Sequence, residues 1–218
     1  MSDWLTWQFV DSAFPTGAFA HSGGLESAWH HGEIENLDAC RAFLDASIQQ
    51  VGFAALPLVN AAYRNPEELE ALDCLADAFL INTVANRASR IQGRTLAATA
   101  ARVWPSDATA ALERRAGASR AHLAPLSGAV LRAIGLSLPA VQQVVLYAAA
   151  RGVLTAAVRL GIVGSYEAQR LQYASGPRLD AVVARCGALT PDDLAQTAPI
   201  VDLLQSAHDR LYSRLFQS

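Results

Sequence analysis

Apolar positions recur along this chain at helical steps, and no stretch shows the clean alternation of a half-buried strand. Over 37–51, Leu37, Cys40, Leu44, Ile48 and Val51 fall on one stripe of a 3.6-residue period. A second helix is predicted over 54–64. Asn65-Pro66-Glu67-Glu68 then reads as a helix start, with Asn65 as the cap, Pro66 at the first helical position and Glu68 closing a capping box. The helix it opens carries Leu69, Leu72, Leu75 or Ala76, and Phe79, and either runs on or breaks and restarts toward Ala101. Ser106 caps another helix beyond Pro105.

The second half repeats this logic. His122 to Pro125 reads as a loop, Leu126 to Ile134 as a short helix ended by Gly135. Ser137 and Pro139 introduce a long helix to Leu160, closed by Gly161. Thr190-Pro191-Asp192-Asp193 is a further capping start. The last helix is predicted from Ile200 to Phe216, with an inner stripe of Leu204, Ala207 or His208, Leu211 and Leu215. Upstream, the glycine-rich segment 14–32 is expected to turn at Pro15 and Gly17, pack closely at Gly23 and Gly24, and hold a short helix from Gly24 to His31. No internal repeat or low-complexity linker divides residues 1–218. The expectation is an all-α fold, one compact domain of about nine or ten helices.

Composition adds a constraint. Hydrophobic residues make up 52% and charged residues 17%, so many apolar faces must be hidden, in the core or against partners. The net charge of −3 and the absence of a basic run give no support to nucleic-acid or anionic-membrane binding. Residues 144–158 are interrupted by Arg151 and read as a core helix, not a membrane span. Cys40, Cys74 and Cys186 are far apart, which fits a reducing, cytoplasmic setting better than a disulfide framework or a thiolate zinc site. The opening 14 residues lack the basic start and apolar run of a signal peptide.

Candidate chemistry is sparse. No phosphate loop, dinucleotide fingerprint, metalloprotease helix or nucleophile elbow is present. Glu26 and His30 share a helix face, and with His21 they are the candidates for transient metal contact. The plainer reading makes them surface or satisfied histidines beside an acidic partner, because a stable site wants three or four ligands. Ser22 beside His21 lacks a third group to orient the base. Arg151 and Arg159 stand in the long apolar helix and must find a carboxylate, carbonyls or solvent. Salt bridges that organise the core are one expectation; exposure to a partner is the other. The ending SAHDRLYSRLFQS carries Tyr212 and Phe216 beside Leu211 and Leu215, with Arg210 and Arg214 following. Such a helix either docks into its own body or offers aromatics and arginines to a partner.

These segments together resemble the urease accessory protein F family. Phe14-Pro15-Thr16-Gly17-Ala18-Phe19-Ala20-His21-Ser22-Gly23-Gly24-Leu25-Glu26 is similar to its signature P-x-G-x-F-x-x-S-x-G-L-E. Ser89-Arg90-Ile91-Gln92-Gly93-Arg94 resembles its central helix motif, and His122 through Gly128 its H-x-P-x-x-x-G region with the proline shifted by one residue. Arg159-Leu160-Gly161, Gly164 and Gln169-Arg170 resemble its arginine-glycine and glutamine run, and residues 206–218 its ending H-E-x-L-Y-S-R-L-F-x-S. Asp209 replaces the usual glutamate, Ala168 stands where glycine often precedes the glutamine, and 86–89 lack acidic residues often found there.

The resemblance implies a non-enzyme without a cofactor of its own. It implies a dimer that binds urease accessory protein D (also called H), recruits the GTP-binding nickel chaperone, accessory protein G, and acts on apo-urease so that nickel enters. It implies also a possible passage for the metal. Pro15, Gly17, Phe19, Ser22, Gly24, Glu26, Arg159, Gln169, Arg170, His208, Tyr212, Arg214 and Phe216 become the candidates for protein contact. The alternative is a nickel-binding carrier that uses the histidines of the opening segment.

Overall fold

The computed structural model describes residues 4–218, and these form helices joined by short turns, with no strand among them. In chain order the α-helices are α1 (Trp4–Val10), α2 (Leu25–His30), α3 (Leu37–Ala54), α4 (Leu56–Arg64), α5 (Leu69–Phe79) and α6 (Thr83–Val103). They continue as α7 (Asp107–Ala118), α8 (Leu123–Ala133), α9 (Leu138–Arg159), α10 (Ser165–Ala174), α11 (Gly176–Cys186) and α12 (Pro199–Ser206). The all-α expectation holds. The segments beyond the nine or ten expected include α1, α10 and α11, which are short or carry a mixed pattern.

Local signals place most boundaries. Asn36 accepts from the Ala39 N–H at 2.9 Å, Ser137 from Ala140 at 3.5 Å, and Ser106 forms a capping box with Thr109. Asn82 breaks the chain between α5 and α6 and caps α6, accepting from Val84 and Ala85. Gly135 and Gly161 end α8 and α9 in the left-handed region that favours glycine.

Several expected boundaries are corrected. Pro66–Glu68 is a 3-10 turn, and Asn65 donates to the Glu68 carboxylate at 2.8 Å instead of capping, so no capping box closes there. The Thr190 box is present but holds only the 3-10 turn Pro191–Asp193. Helix α8 begins at Leu123, before Pro125, which is tolerated because first-turn residues need no N–H partner within the helix. The largest correction is at the end of the chain: α12 stops at Ser206, a 3-10 turn covers Ala207–Arg210, and Leu211 is extended.

Two groups of buried side chains organise the packing. In the first, α8 is wrapped by α4, α5, α6 and α7, and its residues Pro125–Leu131 are all buried. A helix apolar on every side must be enclosed. The approach of α4 is close: a Cβ on Gly128 would lie 2.2 Å from the Val59 carbonyl oxygen. In the second, α3 and α9 pack with α2, α10 and α11 around Leu25, Leu44, Ile48, Leu146, Leu154 and Cys186. Helix α9 serves both groups, with Val141 and Val144 in one and Leu146 to Ala157 in the other. By length and composition α9 and the α3–α4 stretch could each cross a membrane, but half of the α9 window and 44% of the other are buried inside the protein. Both are core helices.

Candidate functional site

The opening segment and the end of the chain are distant in sequence and fold onto each other. The two glycines before α2 both take positive φ, and Gly24 lies so close to α12 that a Cβ there would meet Gln205 Cβ at 3.0 Å. This turn sends Glu26 inward, where it is 1% exposed. A buried carboxylate must be matched by donors. Glu26 Oε1 accepts the Leu215 N–H at 2.5 Å; Oε2 accepts the Phe216 N–H at 3.2 Å and faces His208 Nε2 at 2.9 Å. Three donors from the last dozen residues therefore converge on one side chain of α2.

The contacts continue to the chain's last described residue. Ser22 donates from its backbone N at 2.6 Å and from Oγ at 3.0 Å to the Ser218 backbone oxygen. His21 Nδ1 lies 2.5 Å from Ser218 Oγ, and Gln217 donates to the Ala20 carbonyl at 2.8 Å. These backbone pairings explain why 211–218 is not helical. The N–H groups of Leu215, Phe216 and Gln217 are taken by the opening segment, and a helix would have to give them up.

Arg159 completes the clamp from α9. Its guanidinium stacks between Phe19 and Phe216, with Cζ at 3.9 Å and 4.1 Å from the ring centroids, and Nη1 donates to the Phe19 carbonyl at 2.5 Å. Arg151 donates likewise to the Val10 carbonyl. Among the described residues neither arginine forms the expected core salt bridge; both donate to carbonyls, and Arg159 also packs on aromatic faces. Phe216 is 5% exposed whereas Tyr212 points wholly outward. Arg214 pairs with Asp209 at 3.3 Å, and Asp209 also receives both Nη atoms of Arg87 at 2.8 and 3.1 Å. The Arg87 guanidinium is the main cause that holds the Asp209 carboxyl below the usual range.

The structure gathers Phe19, Ser22, Glu26, Arg159, His208 and Phe216 into this clamp. Pro15 lies at its margin, its carbonyl accepting from Thr99 Oγ1 at 3.0 Å, and Gly17 turns with positive φ beside Thr95. Gln169 and Arg170 are elsewhere, exposed on α10, where Arg170 pairs with Glu167 at 3.3 Å. The histidine cluster does not assemble. Glu26 is occupied by the tail, and His30 is on the surface against Trp29. Among the described residues no three His, Cys, Asp or Glu side chains stand as a metal-ligand group. Like His208 at Nδ1, His21 has at Nε2 a buried ring nitrogen with no partner among the described residues. Burial chiefly, then Arg87 and His208, pushes its pKa down, so the ring is held neutral.

A second buried node, not foreseen from the pattern, joins α5, α6 and α8. Asp73 accepts three successive backbone N–H groups, Arg120, Ala121 and His122, at 2.9, 3.0 and 2.6 Å. His122 is fully buried, with Nε2 3.1 Å from Asp77 Oδ1 and Nδ1 3.2 Å from Ser89 Oγ. The order resembles a nucleophile–base–acid relay. Ser89 Oγ, however, accepts the Leu123 N–H at the start of α8, and Asp77 is divided among Asn86, Arg120 and His122. The arrangement fastens α8 to α5 and α6. Asn86 is the leading cause that lowers the Asp77 pKa to about 2, while burial pushes the His122 pKa down. Gly93 permits the approach: a Cβ there would lie 2.0 Å from the Ala121 carbonyl oxygen.

Between clamp and node runs a cavity of about 410 Å³. Its walls are mostly apolar, with His21, Ser22 and Gln205 from the clamp side and Ser89, Gln92 and His122 from the node.

Known proteins bear on this geometry. The UreF family model matches residues 34–176. Urease accessory protein F of Arabidopsis thaliana is 32% identical over 99% of this chain and 92% of its own length. Urease accessory protein F of Oryza sativa subsp. japonica is 32% identical over 98% of this chain and 84% of its own length. Urease accessory protein UreF of Mycobacterium sp. (strain JLS) is 34% identical over 96% and 95%. The family match leaves out both halves of the clamp, which the full-length relatives cover.

Proposed function

This chain belongs to the urease accessory protein F family, and on that premise we propose that it is a scaffold for urease maturation, not an enzyme. In this reading it pairs with a second copy, binds accessory protein D (H), and presents the GTP-binding accessory protein G to apo-urease in the cytoplasm, so that nickel is inserted. The observation that carries it is the clamp. Residues 207–218 are held by internal bonds to Ser22, Glu26 and Arg159, yet they turn Tyr212 and the half-exposed Leu215 outward. Ile200 and Leu203 of α12, each 68% exposed, lie on the helix that leads into this segment. A rigid strap with apolar and aromatic side chains on its outer side is suited to protein contact.

The test is co-purification with accessory proteins D and G, followed by nickel-dependent activation of apo-urease with and without this chain. Full-length protein should assemble and activate. Tyr212→Ala with Leu203→Ala, both on the outer surface, should stay folded and lose assembly. Undiminished assembly and activation by that variant would overturn the role given to this surface.

A second reading is favoured by the cavity. It is a nickel carrier or passage in which the neutral His21 ring, which lines the cavity, supplies one nitrogen to passing metal. Calorimetry with nickel checks it: unchanged affinity in His21→Ala removes the reading, and His30→Ala is expected to change nothing.

A further inference from the structure

Helix α6 carries a row of arginines of which Arg87 alone is tied to the tail, through Asp209. It contains Arg87, Arg90, Arg94 and Arg102 and no acidic residue. Arg87, Arg90, Ile91 and Arg94 fall within an arc of roughly 100° on the helix, over a rise of roughly 10 Å. Side chains three and four apart are surface neighbours, and like charges so placed oppose helix formation. The sequence nevertheless keeps three arginines together, with Ile91, 40% exposed, among them.

The fold holds these arginines in place without neutralising all of them. Arg90 Nε donates to the Arg120 carbonyl at 3.3 Å, and Arg94 Nη2 reaches the Ser119 carbonyl at 3.5 Å. The segment they lean on is fixed from beneath by Asp73. On this face Arg87 pairs with Asp209 and the neighbouring Arg120 with Asp77, whereas Arg90 and Arg94 face no carboxylate within salt-bridge distance among the described residues. The result is a pre-oriented row of cations with an apolar side chain on its flank, which limits the ordering cost of binding.

We infer that the Arg87–Ile91–Arg94 face of α6 is a docking surface for an acidic protein partner, one that presents carboxylates beside an apolar residue. Charge complementarity selects the partner's sign, and planar guanidinium forks suit carboxylates. The flanking, exposed isoleucine favours a protein over a nucleic-acid backbone, which would gain nothing from it. The inference deepens the scaffold reading and rests on it: the partner is one of the proteins the scaffold holds.

The experiment measures association of the full-length chain with purified accessory proteins D and G, and with a DNA duplex, at low and moderate salt. The variants are Arg90→Glu with Arg94→Glu, and separately Ile91→Ala, each compared with wild type by circular dichroism. Arg90→Gln with Arg94→Gln serves if the charge reversal does not fold. The expected result is at least tenfold weaker binding to one accessory protein after charge removal, a shallower salt dependence, and a smaller loss for Ile91→Ala. Wild-type affinity and salt dependence for both proteins in the variants would overturn the docking surface and leave the scaffold reading standing. Wild-type chain that binds neither protein would overturn the scaffold reading and this inference with it. A charge-dependent affinity confined to the DNA duplex would overturn the assignment to a protein partner.

Discussion

Glu26 Oε2 lies 2.9 Å from His208 Nε2, and through the same carboxylate the two residues set the path of the chain between them and Phe216. Glu26→Gln replaces an all-acceptor group by one that is half donor and turns N–H toward N–H. The expected cost is about 2–3 kcal/mol, in the range of buried hydrogen bonds to charged groups. Denaturant unfolding measures it. Limited trypsin digestion should cut at Arg210 and Arg214 faster than in wild type, and equal cutting would show that the carboxylate does not hold the strap.

Arg159 presents both faces of its guanidinium to aromatic rings. Arg159→Lys keeps the charge and loses the planar stack. It should cost about 1–2 kcal/mol, since cation–π contacts carry roughly 0.5–2 kcal/mol each and Phe19 is largely exposed. A thermal melt checks the value. Phe216→Leu should show much of the same loss, and the double variant should cost less than the sum if the two act as one contact.

Gly93 faces the Ala121 carbonyl across the α6–α8 junction. Gly93→Ala would ordinarily aid a helix, because alanine has the higher propensity. Here it should destabilise the protein by about 1–3 kcal/mol, the usual cost of overpacking. A rise in the unfolding midpoint would contradict the close approach. Gly117, with open space at its Cβ position, is the control expected to gain stability as Gly117→Ala.

Two windows of pH dependence follow from the second node. His122 has its folded pKa pushed below the ordinary value of 6.5, chiefly by burial. The unfolded chain then binds more protons below that value, so stability falls as pH drops through and beneath 6.5. Asp77, lowered from 3.8 to about 2, adds a second loss between those values on further acidification. Unfolding free energy across pH 7 to 5 should fall in wild type and fall less in His122→Asn, with His21, also lowered, accounting for the remainder. An unchanged slope in His122→Asn would remove His122 from this account.

Surface ion pairs should matter little by comparison. Arg87 and Asp209 make a two-pronged contact, yet both are more than 40% exposed. Asp209→Asn should cost under about 1 kcal/mol at physiological salt, with the strap still protected from trypsin.

The helices were legible because their signals are local. The stripe from Leu37 to Val51, the caps at Ser106 and Ser137, and the stops at Gly135 and Gly161 depend on neighbours a few residues away; the structure repeats the caps and stops and buries Cys40, Leu44 and Ile48 of the stripe, while Leu37 stays exposed. The family's motifs were legible as residues, and the structure shows which of them meet. Ser89 and Gly93 serve His122 and Ala121, and Phe19 and Glu26 serve Phe216.

The end of the chain was not legible. Residues 200–216 carry a helical stripe, and local propensity favours continuing α12. The winning interactions come from residues some 180 or more positions away: Glu26 to Leu215, Ser22 to Ser218, Ala20 to Gln217. Periodicity cannot report them. Sequence alone determined an all-helical chain with apolar stripes and capped ends, because those are properties of one turn and its neighbours. Only the tertiary structure decided that Glu26 is a buried acceptor for the tail, and that the final helix yields to a strap. A buried carboxylate takes whatever donors the fold delivers, and here it delivers the backbone of the tail.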